Sequence, residues 1–267
     1  MKTNRYRADY YLFRHFLMGM GSFQDSKVSS PEAMKLLFGV NRPFRIRLED
    51  AWFEARAALL DGGVPHYVNG EGDWQIILWI DPDTSLAGLL GRRTLKGRAW
   101  AIHNTAPSVS MTEIIQTVGD LSDPAGALEI AESLIYSYGA AKAVPATWDR
   151  LVQKAVTLLD QDIGAYSARS LADRVGRDPG QLDADFRRVL GTPLHSYIHR
   201  LKWQAYIKFR RDGQEMTQSL RSSGLIGWEG LRDDFENRYG LELDVLENSL
   251  PFVRVYEGYG DRPVLYL

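Results

Sequence analysis

The sequence predicts an α+β protein with an amino-terminal β-sandwich or barrel followed by helices, and an all-α carboxy-terminal domain. Up to Ile80, short extended segments alternate with clusters of turn residues, as in small sandwiches. Beyond Asp81, apolar residues recur at three- and four-residue spacing, which is the period of amphipathic helices. A ten-residue pattern also recurs in the helical half. The chain of 267 residues has room for two domains of ordinary size.

Four segments of the amino-terminal half are predicted to be strands: Met34 to Val40, Phe44 to Leu48, Ala55 to Leu60 and Trp74 to Ile80. Asn69-Gly70 predicts a tight hairpin turn, because both residues tolerate positive φ. The aromatic residues of this half are mainly expected in the core. The alternative is that four residues line an apolar ligand cavity, namely Trp52, His66, Tyr67 and Trp74.

Two amphipathic helices are predicted between the halves, at Ser110 to Val118 and Asp123 to Tyr138. Their apolar faces require a covering surface. We expect that surface to be a second copy of the chain, with burial inside the monomer as the alternative. Residues 139–146 contain two alanine pairs and a proline, and they are predicted to form a linker.

An internal repeat dominates the carboxy-terminal half. The segment from Leu182 to Gly191 recurs 49 residues later as the segment from Leu231 to Gly240. In each copy, leucine and phenylalanine lie four residues apart and so share a helix face, and a glycine follows that can end the helix. Gly176 and Gly224 lie upstream, where each would form a tight turn after a preceding helix. The repeat therefore predicts two helix-turn-helix units.

Two such units joined by one long helix, Pro193 to Arg211, closely resemble the DNA-binding domain of the AraC/XylS family of transcription regulators. The matching residues are Leu171-Ala172, Gly176, Leu182, Phe186, Gly191, Tyr197-Ile198, Lys202, Met216-Thr217, Gly224, Leu231, Phe235 and Gly240. The strand-rich segment is similar to the cupin-like sensor domain of many members, through Ala57-Ala58-Leu59-Leu60, Gly63-Val64-Pro65-His66 and Ile80-Asp81-Pro82.

The resemblance implies four parts: a cupin-like sensor domain at 1–108, a helical dimerisation and linker region at 109–146, an AraC-type DNA-binding domain at 147–250, and an extension at 251–267. It implies a bacterial regulator without enzymatic activity or cofactor. Its partners would be promoter DNA, RNA polymerase, a possible small-molecule effector and a second copy in a homodimer. The DNA-binding candidates are Gln181, Asp183, Ala184, Arg187, Arg188, Arg200, Lys202, Trp228 and Arg232.

The charges of the two units differ. Seven basic residues and no acidic one lie between Arg187 and Arg211, a pattern suited to DNA phosphates. From Asp212 to Glu247 there are nine acidic and three basic residues. The second unit is therefore expected to contribute little base readout. The alternative function is an AraC-like protein whose acidic second unit has become a protein-interaction module with weak or no DNA binding.

Composition excludes several other classes. With 45% hydrophobic and 25% charged residues the chain is typical of globular proteins, and zero cysteines exclude disulfides and thiolate metal sites. No apolar run is long enough for a membrane span, so a cytoplasmic location is expected. His195 and His199 share a helix face, but no carboxylate or thiol in the sequence completes a metal site beside them. We identify neither a metal site nor a catalytic constellation.

Overall fold

The computed structural model describes residues 8–25, 27–104, 124–139, 144–145, 149–256 and 264–265. Its centre is a seven-stranded sheet with the order β11-β1-β2-β8-β3-β6-β9. The strands are β1 (Ala8–Leu12), β2 (Phe16–Gly21), β3 (Met34–Gly39), β6 (Ala57–Leu60), β8 (Gln75–Ile80), β9 (Trp100–His103) and β11 (Val253–Val255). All neighbours are antiparallel except β11, which pairs parallel with β1.

A smaller sheet of three strands covers part of the large one. Its order is β5-β4-β7, with β4 (Phe44–Leu48) between β5 (Ala51–Ala55) and β7 (His66–Asn69). In a separate two-stranded sheet, β10 (Val144–Pro145), from the predicted linker, pairs antiparallel with β12 (Val264–Leu265). Strand β4 alternates between buried and exposed positions, so its two arginines face outward. The amino-terminal half is therefore a two-sheet structure, as the turn pattern predicts.

Both faces of the large sheet are buried. In β1, Tyr11 belongs to one apolar cluster, whereas Tyr10 and Leu12 belong to the cluster on the opposite face. Helices α1 (Ser85–Leu90) and α2 (Pro124–Ser137) cover the first face. A single-turn π-helix, Gly91–Leu95, follows α1.

The apolar face of α2 lies inside the chain. Its buried residues, such as Ile130 and Leu134, pack in the same cluster as the sheet residues Leu36 and Leu78. This helix lies within the predicted segment Asp123 to Tyr138, so the apolar face that suggested a homodimer is already covered in the monomer. The other predicted helix, Ser110 to Val118, lies outside the described residues.

The carboxy-terminal half is helical. Its helices are α3 (Arg150–Gln161), α4 (Ala168–Val175), α5 (Pro179–Leu190), α6 (Leu194–Arg211), α7 (Met216–Ser223), α8 (Trp228–Tyr239) and α9 (Leu243–Asn248). Helices α4 and α5 form the first helix-turn-helix unit, α7 and α8 form the second, and α6 is the linker helix between them. Gly176, Gly191, Gly224 and Gly240 all cap helices with positive φ, as the repeat predicts.

One predicted turn is wrong, and one hairpin was not predicted. Asn69-Gly70 does not join a hairpin: β7 pairs with β4, β8 pairs with β2 and β3, and the positive φ angles fall on Glu71 and Gly72. Strands β1 and β2 form a hairpin that the sequence analysis missed. Because they are buried on both faces, they show no alternation of polar and apolar residues.

The helical half contributes to two separate apolar cores. The first unit packs with α3 and the start of α6 around Phe186, Leu190 and Tyr197. The second unit instead shares a cluster with the large sheet, in which Phe235 of α8 and Trp79 of β8 are members. The strand β11, from the predicted extension, adds Val253 to this shared core. The second unit thus packs on the amino-terminal region, which we define as residues 8–139.

Candidate nucleic-acid interface

The first unit has well-defined helix ends. Asp178 caps α5 by accepting hydrogen bonds from the backbone N–H groups of Gly180 and Gln181, and Pro179 occupies the first helical position. Ser167 caps α4 in a reciprocal arrangement with Ser170. These local contacts fix the start of each helix, and with it the direction of the second helix of the unit.

The outward face of α5 carries four of the predicted DNA contacts, Gln181, Ala184, Arg187 and Arg188, all of them exposed. Their spacing of three and four residues places them along one side of the helix. Glutamine can pair with adenine, alanine can contact a thymine methyl group, and arginine can bind phosphate or guanine. This face has the chemistry that the sequence predicted for base and phosphate contacts.

Both arginines of this face are held by acidic neighbours. Arg187 Nε lies 2.8 Å from Asp183 Oδ2, and Arg188 Nη2 lies 2.8 Å from Asp185 Oδ1. The arginine side chains remain 55% and 59% exposed. Ion pairs as exposed as these contribute little to stability, so exchanging a carboxylate for a phosphate costs little.

Asp183 has a structural role. Its carboxylate accepts a hydrogen bond from the backbone N–H of Leu194, at 2.8 Å. This N–H group, at the start of the linker helix, has no partner within the helix itself. Burial by itself would raise the pKa of Asp183, but the hydrogen bonds from Arg187 and Leu194 outweigh it and lower the pKa. This geometry aims the carboxylate at the protein backbone, whereas the sequence analysis assigned it to base readout.

Most other basic residues of the linker helix are also engaged within the chain. Arg200 is 6% exposed and pairs with Asp81. Lys202 donates a hydrogen bond to the carbonyl of Gly224 in the turn of the second unit, at 3.1 Å. Arg210 forms an ion pair with Glu247 of α9 at 2.8 Å. Of the predicted phosphate contacts, Arg200 and Lys202 therefore stabilise the packing of the helices.

The second unit presents a different surface. Helix α8 begins at Gly227, which has a φ of 73° and provides no side-chain cap. The predicted contacts Trp228 and Arg232 are half-buried, and Arg232 pairs with the exposed Asp233 at 3.3 Å. Ile226, in the turn, is 94% exposed. Along α8, the partly exposed Arg232 is already paired and the exposed Glu229 and Asp233 lie on the same helix, which is unfavourable for phosphate contact.

The four predicted ligand residues do not form one cavity. Trp52 and Tyr67 make an edge-to-face pair at 5.8 Å on the small sheet, and Trp52 is 44% exposed. Trp74 is also exposed, next to β8. His66 is buried, and its Nε2 lies 2.7 Å from Nζ of Lys35, a residue that the sequence analysis did not single out.

A cavity of about 290 Å³ lies beside Lys35, between the large sheet and α9. Its wall combines apolar side chains, among them Tyr10, Phe23 and Trp79, with polar ones. The charged residues of the lining are Asp25, Lys27, Lys35 and Glu242. The cavity therefore lies between the amino-terminal region and the carboxy-terminal half, with the buried Lys35 amine in its wall.

The Lys35–His66 contact fixes the tautomer of His66. His66 Nδ1 lies 2.8 Å from the carbonyl of Val64, so this nitrogen carries the proton and Nε2 accepts a hydrogen bond from the Lys35 amine. Burial lowers the pKa of His66 to about 3, and the nearby Lys35 charge contributes to the same shift. Burial also lowers the pKa of Lys35, while Asp25 opposes that effect. The histidine is therefore a neutral acceptor.

No family model and no curated protein matches the chain. Solved structures that are similar to it include an apo point variant of ToxT from Vibrio cholerae, at 12% identity and a TM-score of 0.46, covering 90% of this chain and 99% of that one. A wild-type ToxT from the same organism with bound unsaturated fatty acid gives 12% and 0.45, with 95% and 99% covered. The AraC-like transcriptional activator CuxR gives 12% and 0.30, with 78% and 82% covered.

The described residues hold neither a membrane-spanning helix nor a metal-binding cluster. None of their helices is long and apolar enough to cross a membrane. Within the same ranges, no group of three or more histidine, aspartate and glutamate side chains is arranged to hold a metal ion. His195 and His199, considered as a metal pair, instead contact Ser196 at 3.2 Å and Asp234 at 3.4 Å.

Proposed function

We propose that this chain is a sequence-specific DNA-binding transcription regulator of the AraC type, with α5 as its main recognition helix. The observation that carries the proposal is the outward face of α5, where Gln181, Ala184, Arg187 and Arg188 are exposed on one side. The partners proposed with this function are promoter DNA and RNA polymerase. A homodimer stays part of the proposal, although α2 has its apolar face covered within the monomer.

The proposed effector site is the cavity beside Lys35. The buried Lys35 amine beside the apolar side chains of Tyr10, Phe23 and Trp79 favours a small ligand with an anionic end and an apolar body. Because the cavity is lined by the large sheet and by α9, such a ligand would contact both halves of the chain. Its occupancy would then bias how the amino-terminal region and the second unit pack together.

A second candidate function has support from the second unit. Its recognition helix carries acidic residues outward, and its apolar side packs on the amino-terminal region. This arrangement supports an AraC-like protein in which the second unit binds protein, with weak or no DNA binding. The two candidates differ in what the first unit does with DNA.

DNA binding tests the proposal directly. Duplexes from the region upstream of the protein's own gene are titrated at rising salt, with random-sequence duplex as competitor. A regulator binds one fragment selectively, and its affinity falls steeply with salt. Gln181→Ala is then expected to weaken selective binding by about tenfold, the value of one good base contact, and to leave random-sequence binding unchanged. Absence of selective binding at any salt concentration favours the second candidate.

A further inference from the structure

Asp81, directly after β8, joins the amino-terminal region to two helices of the carboxy-terminal half. Its carboxylate accepts hydrogen bonds from the Arg200 guanidinium on α6 and from the Tyr239 hydroxyl on α8, the latter at 3.0 Å. Arg238 of α8 lies 3.7 Å from the same carboxylate. Asp81 and Arg200 are each 6% exposed. One buried carboxylate therefore contacts both the linker helix and the second recognition helix.

The amino-terminal region also supplies hydrogen-bond donors to the carboxy-terminal end of α8. A helix leaves its last carbonyl groups without partners of its own. Here the backbone N–H of Glu32 donates to the carbonyl of Asn237 at 3.0 Å, and that of Ala33 donates to the carbonyl of Arg238 at 2.8 Å. The residues before β3 thus serve as a C-cap for the second recognition helix.

The first unit and the start of α6 contact the amino-terminal region differently. Ser85 N–H donates to the carbonyl of Gly191 at the end of α5, at 2.6 Å, and the hydroxyl of Ser196 on α6 donates to Asp83 at 2.9 Å. The apolar side chains of the first unit pack in a core of their own. A polar interface can exchange its hydrogen bonds for water, whereas separating a shared apolar core exposes apolar surface.

We propose that Asp81 is the positioning residue that fixes the second unit to the amino-terminal region as one body, and that this body stays closed when the protein engages DNA. The part that concerns DNA rests on the proposed function. The joining of the second unit to the amino-terminal region stands on the contacts of Asp81, the C-cap of α8 and the shared core.

A disulfide across this junction tests whether it opens. The chain has no cysteine, and a Cβ atom on Gly240 would lie 3.1 Å from Ser29 Oγ. That separation is close to the roughly 3 Å between one cysteine Cβ and the partner sulfur in a disulfide. The full chain with Ser29→Cys and Gly240→Cys is compared oxidised and reduced. Because Gly240 has a φ of 66°, which disfavours a side chain, the single variant Gly240→Cys measures the strain of that change, and Ser29→Cys controls for the other position.

The probe is a fluorescent random-sequence duplex of about 40 base pairs, long enough for both units. We expect oxidised and reduced proteins to bind it within about twofold of each other, with the same salt slope. If oxidation weakens binding by about tenfold or more and reduction restores it, the second unit must leave the amino-terminal region to bind DNA, and the proposal is overturned.

Hydrogen exchange tests Asp81 without DNA. In Asp81→Asn, amide exchange over α8 is expected to rise by about tenfold or more, with exchange over α5 unchanged, and the disulfide should restore protection of α8. Asp61→Asn, an exposed carboxylate in the same region, is the control. Unchanged exchange in α8, or an equal rise in both units, overturns the positioning role. If Asp81→Asn does not fold, Tyr239→Phe, which removes one hydrogen bond to Asp81, takes its place in the exchange experiment with the same expected result. If no form binds DNA, the proposed function fails while the exchange result stands.

Discussion

The two helix-turn-helix units have the same spacing of leucine, phenylalanine and glycine but different surroundings. Helix α5 begins at the Asp178 cap and presents an arginine-bearing face to solvent. Helix α8 begins at an uncapped Gly227 and packs on the amino-terminal region through Phe235. The repeat keeps the residues that form the helices and changes those that face outward. Shared spacing therefore predicts a shared local fold, while charge and packing separate the roles of the two units.

The largest expected effects come from the two buried phenylalanines of the repeat, and the units should differ in how far the loss of amide protection spreads. Phe186 and Phe235 occupy equivalent positions in the repeat, and each is at most 2% exposed. Replacing either by alanine is expected to cost about 3–5 kcal/mol. Phe235→Ala should lower amide protection in the large sheet as well as in α8, because they share a core, whereas Phe186→Ala should lower it only around the first unit. Equal effects of both variants on the sheet would contradict the division into two cores.

Acidic pH should lower the free energy of unfolding of the amino-terminal region and of the second unit packed on it. The pKa of His66 is about 3 in the folded chain, against about 6.5 unfolded, because burial disfavours the imidazolium. Its contribution to stability is complete above pH 6.5 and is lost as the pH falls toward 3, by up to about 1.4 kcal/mol per pH unit. Urea unfolding between pH 7 and pH 4 measures this slope. His66→Gln, which can also accept from Lys35, should flatten it, and an unchanged slope would show that another group titrates.

The Asp178 cap has no counterpart in the second unit, so its removal should affect the first unit alone. Asp178→Ala is expected to destabilise α5 by about 1 kcal/mol, since the N–H groups of Gly180 and Gln181 lose their acceptor. Hydrogen exchange over α5 measures the change, with α8 as the internal reference. A matching change in α8 would mean that the two units unfold together.

The smallest expected stability effect is at the exposed Asp233 of α8. Asp233→Arg should change the free energy of unfolding by no more than about 0.5 kcal/mol, as is usual for surface substitutions. It should also strengthen binding of random-sequence DNA, because it replaces a repelling charge with an attracting one. Loss of selective binding to one fragment, with the fold intact, would instead show that this aspartate contacts a base.

The helices of the carboxy-terminal half can be predicted from the sequence alone, because the residues that start and end each helix lie within or next to it. Asp178 and Pro179 mark the start of α5, and glycines mark the ends of the helices with positive φ. Strands β1 and β2 carry no such signal, since an apolar run buried on both faces has no period. Strand β11 pairs with β1 across the length of the chain, and no local pattern specifies that partner.

The candidate site was predictable only in part. The exposed face of α5 follows from helical spacing, so Gln181, Ala184, Arg187 and Arg188 lie where the sequence suggests. The burial of Arg200 depends on Asp81, which is more than a hundred residues away in the chain. Lys35 was missed because a lone lysine within a strand gives no sign that its amine meets a histidine inside the fold. These polar contacts could not be predicted from the sequence, because the partners lie far apart in the chain.

The salt dependence of DNA binding in two matched variants tests most directly whether the first unit carries the contact. Binding of random-sequence duplex is measured from low to moderate salt for the double variant Arg187→Gln, Arg188→Gln and for Arg232→Gln in the second unit. We expect the double variant to flatten the slope of log affinity against log salt by up to about 1.8, or about 0.9 for each lost phosphate contact, and Arg232→Gln to leave it unchanged. A slope that flattens with Arg232→Gln but not with the double variant would place the DNA contact on the second unit and contradict this account.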